Sequence, residues 1–120
     1  MSFIDGFMAA VPAANREAYA AHARKAWPIF AKYGALALHE NWGEDVGDGQ
    51  VTSMTTAVRL QPGEVVVFSW IEWPDRAARD ACWAGMATDP DWAVMGDMRD
   101  APFDASRMIY GGFASLVSLP

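Results

Sequence analysis

Runs of apolar residues interrupted by glycine stand near both ends of the chain, Phe3-Ile4-Asp5-Gly6-Phe7 and Arg107-Met108-Ile109-Tyr110-Gly111-Gly112-Phe113. Both read as strands of one sheet. The first runs from about Phe3 to Ala10 and ends at Val11-Pro12, where proline removes a ladder donor. A helix follows, with Tyr19, Ala23, Ala26, Phe30 and Tyr33 as its apolar stripe and Gly34 as its stop. Either Asn15 caps it or Pro12 sits in its first turn. Pro28 falls within the pattern and predicts a kink near Arg24 to Trp27 rather than two helices.

A second strand spans about Ala35 to Trp42, and residues 51–60 offer a short extra one. Gln61-Pro62-Gly63-Glu64 is a turn by its Pro-Gly pair. Val65 to Trp73 is apolar on both faces, the pattern of a central strand covered on both sides. A second helix starts near Pro74-Asp75, with Asp75 as cap or first-turn acid. It places Ala78, Cys82 and Met86 on one stripe and ends around Thr88 to Pro90. Residues 91–106 lack a clear period and read as either a lid or a loop holding a short helix from Trp92 to Met98. The resulting order, β-α-β-β-α-β, is that of a single ferredoxin-like α+β domain over residues 1–120, with a four-stranded antiparallel sheet and two helices on one face. Two helices cover one face of such a sheet, so the other face needs a second layer, and a second copy of the chain is the simplest source. An exposed face bearing Phe7, Phe68 and Trp70 would be a larger apolar patch than monomers normally carry.

Composition narrows the partners. A chain of 120 residues buries about two thirds of its unfolded surface and needs no staple. Its one cysteine, Cys82, makes no intramolecular disulfide and reads as a core residue, and two histidines plus one thiol match no zinc spacing. No metal or cofactor is expected. The acids and glycines of residues 43–49 resemble a calcium loop, but Glu44, Asp45 and Asp48 lack the alternate ligand spacing, so a solvated turn is expected. The net charge of −6, with scattered Lys and Arg, argues against nucleic acid. The longest apolar run is far shorter than the roughly 20 residues of a membrane span, and no leader pattern is visible, so a cytoplasmic protein is expected. Six tryptophans and seven methionines supply core or contact area, or line an apolar pocket.

Three segments carry a family resemblance: Phe3-Ile4-Asp5-Gly6-Phe7, Val65-Val66-Val67-Phe68-Ser69-Trp70-Ile71-Glu72-Trp73-Pro74, and Pro102-Phe103-Asp104 followed by Arg107 to Phe113. Along its whole length the chain resembles the DUF1428, YbaA-like family of small bacterial proteins. The resemblance implies a dimeric α+β barrel, two ferredoxin-like chains with their sheets face to face, and no assigned activity. Ala101 stands where such sequences usually have methionine, and Ala105-Ser106 replaces a glycine and a lysine. A ligand gripped through that lysine or methionine would lose the contact here.

In such a dimer the side chains between the sheets line a cavity. Strand alternation sets Phe3, Asp5 and Phe7 on one face and Ile4, Gly6 and Met8 on the other. The glycine suits close approach of a helix, which leaves Asp5 and Phe7 for the cavity. Phe68, Trp70 and Glu72 form the aromatic and acidic set of the central strand, against aliphatic Val65, Val67 and Ile71. Trp70 and Glu72 are therefore assigned to the cavity. In the second strand either His39 or Glu40 points inward, but not both. Asp5 is the best candidate for a general acid or base, since a carboxylate in an apolar cavity is desolvated unless paired. Its alternative is a salt bridge to Arg107. His22 is expected at the surface. The ligand-binding candidates are thus Asp5, Phe7, His39, Glu40, Trp70, Glu72 and Tyr110.

Three functions fit these residues. One is a homodimer that binds a small apolar or aromatic ligand between its sheets. Another is a cofactor-independent monooxygenase or isomerase, by fold analogy. The haem-degrading variant of that analogy wants a strand-one asparagine and a second-helix histidine, where this chain has Asp5 and no histidine. The third is a structural or regulatory dimer without ligand.

Overall fold

A computed structural model describes residues 2–120. Four strands, β1 (Phe3–Pro12), β2 (Ala37–Trp42), β3 (Glu64–Trp73) and β4 (Ile109–Ala114), form one antiparallel sheet in the order β2-β3-β1-β4. The main helices are α1 (Arg16–Lys32) and α3 (Arg76–Gly85), and a single turn, α2 (Met54–Ala57), lies between β2 and β3. This is the α+β, ferredoxin-like arrangement that the pattern predicts, with the longest strands, β1 and β3, paired at its centre.

Both helices keep their apolar stripes on one face of the sheet. Ala26 and Phe30 of α1 meet Ile71 and Trp73 of β3 and Cys82 of α3, with Trp73 and Cys82 fully buried. Burial pushes the Cys82 thiol up to about 12. Asp75 caps α3 through a bond from the Ala78 amide. Helix α1 runs through Pro28 as one helix and stops at Gly34, whose φ of +100° is open to glycine at no steric cost. Asn15 occupies the cap position of α1 but makes no capping bond, because its side chain donates to the Pro102 carbonyl at 3.0 Å.

Three expected elements differ. The segment expected as a strand at 51–60 holds the turn α2, started by Ser53, which accepts from the Thr56 amide. Its purpose in the packing is Val58, fully buried against Ala10 and Val66. That contact roofs one end of the sheet face opposite the helices. Helix α3 ends at Gly85, before the expected Thr88, and leaves Met86 exposed rather than on the stripe. Residues 91–106 hold short 3₁₀ turns at Pro90–Met95, Met98–Asp100 and Ala105–Arg107 in place of an α-helix.

These turns are tied down by charge. Lys32 bonds Asp89 and, at 2.6 Å, Asp91, while the Tyr33 hydroxyl donates to Asp89 at 2.6 Å. Those donors pull the Asp89 carboxyl down to about 2. Arg107 makes a two-armed bond to Glu64, 2.7 Å on each arm, and also reaches Asp104 and the Arg59 carbonyl. Such a fork holds planar geometry as well as charge. The expected pairing of Arg107 with Asp5 is therefore replaced.

Candidate functional site

Register fixes which side chains share a face, because residues directly opposite one another in a ladder point the same way. Asp5 faces Ile71 and Gly112, and Phe7 faces Ser69 and Tyr110; all lie on the helix side. The opposite, open side holds Ile4, Gly6 and Met8 of β1, Phe68, Trp70 and Glu72 of β3, His39 and Asn41 of β2, and Ile109, Gly111 and Phe113 of β4. The expected face of β3 holds, and that of β1 is reversed. Gly6 does not admit a helix. It lies opposite Gly111, and the Phe113 ring sits over both, 3.6 Å from where a Gly6 Cβ would stand.

The reversal has a physical cause in Asp5. Its carboxylate, with the residue 3% exposed, accepts from the indole N–H of Trp73 and of Trp83, both at 3.0 Å, and from Arg79 Nε at 3.0 and 3.2 Å. Three N–H groups thus converge on the carboxylate, the two indoles on Oδ2 and Arg79 Nε shared between both oxygens. A buried charge persists when it is paired and hydrogen-bonded, and α3 supplies two of the three donors at i and i+4, Arg79 and Trp83. Gly112 of β4 makes the approach possible, since a Cβ there would stand 2.7 Å from Arg79 Nη2 and 2.9 Å from the Phe3 ring. Trp83 then packs edge-on against Phe7, Phe30 and Trp73.

A second polar cluster lies one row away on the same face. The Tyr19 hydroxyl of α1 donates to Glu40 Oε2 at 2.7 Å, next to Ser69, which is 3% exposed. Glu40 stands on the edge strand and is exposed as a residue, yet its carboxyl end is tucked under α1. Loss of water there pushes its pKa above the usual carboxylate range. Burial and the neighbouring Glu40 charge push the Tyr19 hydroxyl up as well. Phe103 packs edge-on against Tyr19 and against His22, which is half-buried rather than at the surface. Burial lowers the His22 pKa, and Lys25 adds to the effect.

The open face carries different chemistry. His39 stacks on Trp70 with ring centres 4.8 Å apart and planes 26° from parallel, and Phe68 leans on the other side of Trp70 at 5.5 Å. Glu72 accepts from the Ser2 hydroxyl at 3.1 Å, and Asn41 donates to the Phe68 carbonyl at 3.0 Å. His39, not Glu40, is thus the β2 residue on this face. Two clefts, of about 610 and 580 Å³, lie elsewhere, walled by the 48–62 segment and by α1 with residues 95–102. Neither is lined by a sheet-face residue.

The seven predicted site residues therefore divide. Asp5, Phe7, Glu40 and Tyr110 lie on the helix side of the sheet, where Asp5 is buried but Tyr110 on the edge strand is 73% exposed, and His39, Trp70 and Glu72 lie on the open face. Residues that sequence reasoning passed over complete the clusters: Arg79, Trp73 and Trp83 around Asp5, and Tyr19 and Ser69 around Glu40. The i, i+4 pair Arg79 and Trp83 on α3, aimed at a strand-one carboxylate, is the signal that was present. Among the described residues no group of three or more His, Cys, Asp or Glu is placed to hold a metal, and no helix is long and apolar enough to cross a membrane.

A four-stranded antiparallel sheet in the order β2-β3-β1-β4, with α1 and α3 on one face and the other face largely open, belongs to the ferredoxin-like α+β class, and solved structures agree. A NIPSNAP domain protein from Burkholderia xenovorans superimposes with a TM-score of 0.59 at 16% identity, over 98% of both chains. A dimeric ferredoxin-like protein from an uncultured marine organism gives 0.54 at 14% identity, covering 99% of this chain and 97% of its own. The protein of unknown function family DUF1428 matches residues 2–105, and YbaA of Escherichia coli K12, itself uncharacterized, is 47% identical over 117 residues, 98% of each chain. YbaA of Shigella flexneri matches equally. The chain belongs to the DUF1428 family.

Proposed function

We propose that this protein works as a homodimer joined through the open sheet face, and that it binds a small aromatic or apolar ligand beside the His39–Trp70 stack. The observation that carries this reading is the open face itself. Phe68, Ile109 and Phe113 are 43%, 41% and 59% exposed there, on a sheet whose other face is covered by helices except at the β4 edge. A second copy covers such a patch, in keeping with the dimeric neighbour of the same fold. Within the pair, the outer face of the His39 ring is a flat seat for an aromatic ring, and Glu72 offers an acceptor at its side. A small molecule enclosed there has walls from both copies.

The experiment is ligand screening by tryptophan fluorescence and thermal shift, against small aromatic, quinone, lipid and haem compounds. Quenching by a hit that Trp70→Ala weakens supports the site. A panel without hits, on a protein that sediments as a dimer, leaves the reading of a structural or regulatory dimer.

A second reading rests on the Glu40–Tyr19–Ser69 cluster. A carboxyl with a raised pKa and a bound hydroxyl is the equipment of acid–base chemistry, and Glu40 is bonded by the neutral Tyr19 hydroxyl, whereas Asp5 is paired with the Arg79 cation and two indole N–H groups. This transfers the acid–base role from Asp5 to Glu40 and favours an isomerase-type enzyme. Turnover of a screened ligand that survives Trp70→Ala but not Glu40→Gln would select it.

A further inference from the structure

Beyond β4 the chain continues without regular secondary structure, bending at Leu116, as a segment with no charged side chain, Ser115-Leu116-Val117-Ser118-Leu119-Pro120. Its root is fixed by the Ser115 amide, which donates to the Ser2 carbonyl at 3.1 Å beside the start of β1. Past that bond the described residues of the same chain leave it exposed. Leu116, Val117 and Leu119 are 94%, 72% and 82% exposed, more than the exposed residues of the open sheet face. Three aliphatic side chains held in water are unfavourable in a monomer, each forgoing the gain that burial brings.

The segment leaves the sheet next to Phe113, the most exposed aromatic of the open face, so it is continuous with the surface that the dimer reading assigns to a second copy. Its reach suffices. Five extended residues span about 17 Å, and packed sheets stand about 10 Å apart. A segment rooted at the margin of one sheet therefore crosses to the other sheet with length to spare. Charge selects the same occupant. Each copy carries a net charge of −6, and an arm without any charged side chain meets its twin with little added repulsion.

We propose that residues 115–119 form an arm that packs on a second copy of this chain, each protomer clasping the other at the margin of the paired sheets. The inference rests on the homodimer reading above. In this arrangement the arm is a lock on the dimer, and it closes one mouth of the space between the sheets, so a ligand held there leaves past Leu116 and Val117.

Two measurements test it. Sedimentation of the full chain and of a chain ending at Ser115 compares dimer dissociation constants; the arm predicts an increase of about a hundredfold on truncation, and equal constants overturn it. Leu119→Cys places a reactive thiol on the arm, while Cys82, fully buried, stays silent. Alkylation by iodoacetamide above and below the dissociation concentration is expected to be about tenfold slower in the dimer. Equal rates in a proven dimer overturn the arm and leave the dimer standing. A full chain that sediments as a monomer throughout the micromolar range overturns the dimer and the arm with it.

Discussion

The two faces of this sheet present aromatic residues and a carboxylate each, and they treat them in opposite ways. Under the helices, Asp5 is enclosed by Arg79, Trp73 and Trp83, every donor coming from the same chain. On the open side Glu72 accepts from the Ser2 hydroxyl, and Phe68, Ile109 and Phe113 are exposed, whereas the covered side exposes a large ring only at its β4 edge, Tyr110. One face is closed within the chain over most of its width, and the other stays largely open, which is the basis of the dimer reading. The difference separates what holds the fold from what is available to a partner or a ligand, and it predicts that substitutions on the two faces fail differently.

The largest effect belongs to the covered face. Arg79→Met removes the cation and leaves a buried carboxylate with two neutral donors, at a cost of about 3–5 kcal/mol. Urea unfolding should show it as a lower midpoint with an unchanged slope. A loss below about 1 kcal/mol would mean that the two indoles alone carry Asp5. Phe113→Asp on the open face should leave the far-ultraviolet spectrum of the folded chain in place and convert the dimer to monomer by sedimentation. Were it to unfold the chain instead, the contrast between the faces would break, because the open side would be part of the single-chain core.

How much of this contrast was legible in the sequence depends on the kind of information. Periods of two and of three to four residues gave the strands, α1, α3 and their order, because burial of one face repeats along an element. The same alternation sorted β1 and β3 into their two sets correctly. It carried no label for inside. Asp5 reads as a polar residue for a cavity, and only the tertiary partners on α3, 74 and 78 residues away, make the covered face its place. Gly6 reads as room for a helix and is room for Phe113. The turn α2 was missed because Thr52 to Val58 looks strand-forming by residue type, while Ser53 sets a cap whose benefit is the burial of Val58 at a distance. The Glu40 cluster was half visible, as an alternation that could not choose between His39 and Glu40.

That cluster supplies a pH test of the contrast. The folded-state pKa of Glu40 lies above its ordinary value of 4.5, so between the two values the folded chain binds the proton more tightly than the unfolded chain. Stability from this group is fully present below about pH 4.5 and is lost as pH rises through the folded value, the reverse of a salt-bridged acid. Glu40→Gln keeps an oxygen to accept from Tyr19 and removes the charge. Its stability relative to the parent chain should therefore rise from pH 4 to pH 7. Asp89, pulled down to about 2, acts oppositely in the parent chain: its contribution is present above its ordinary 3.8 and lost as pH falls toward 2. Urea midpoints for parent and Glu40→Gln at both pH values check the sign, and a difference that stays flat removes the evidence for a desolvated Glu40.

The finest test uses neighbours on one strand. Gly111 points to the open face and Gly112 to the covered one, so alanine at each probes one side with the same added methyl. At Gly111 the new Cβ would lie 3.4 Å from the Phe113 ring, an ordinary contact on a side chain that can tilt into open space. At Gly112 it would lie 2.7 Å from Arg79 Nη2 and 2.9 Å from the Phe3 ring, and Arg79 is not free to move, because its Nε holds Asp5. Gly112→Ala should therefore destabilise by about 1–3 kcal/mol through overpacking and a disturbed ion pair. Gly111→Ala should change single-chain stability little, and any effect it has should appear in the dimer dissociation constant instead. Equal losses of folding stability at the two positions would show that the open face is packed as tightly within one chain as the covered face, and would remove the reason for a second copy.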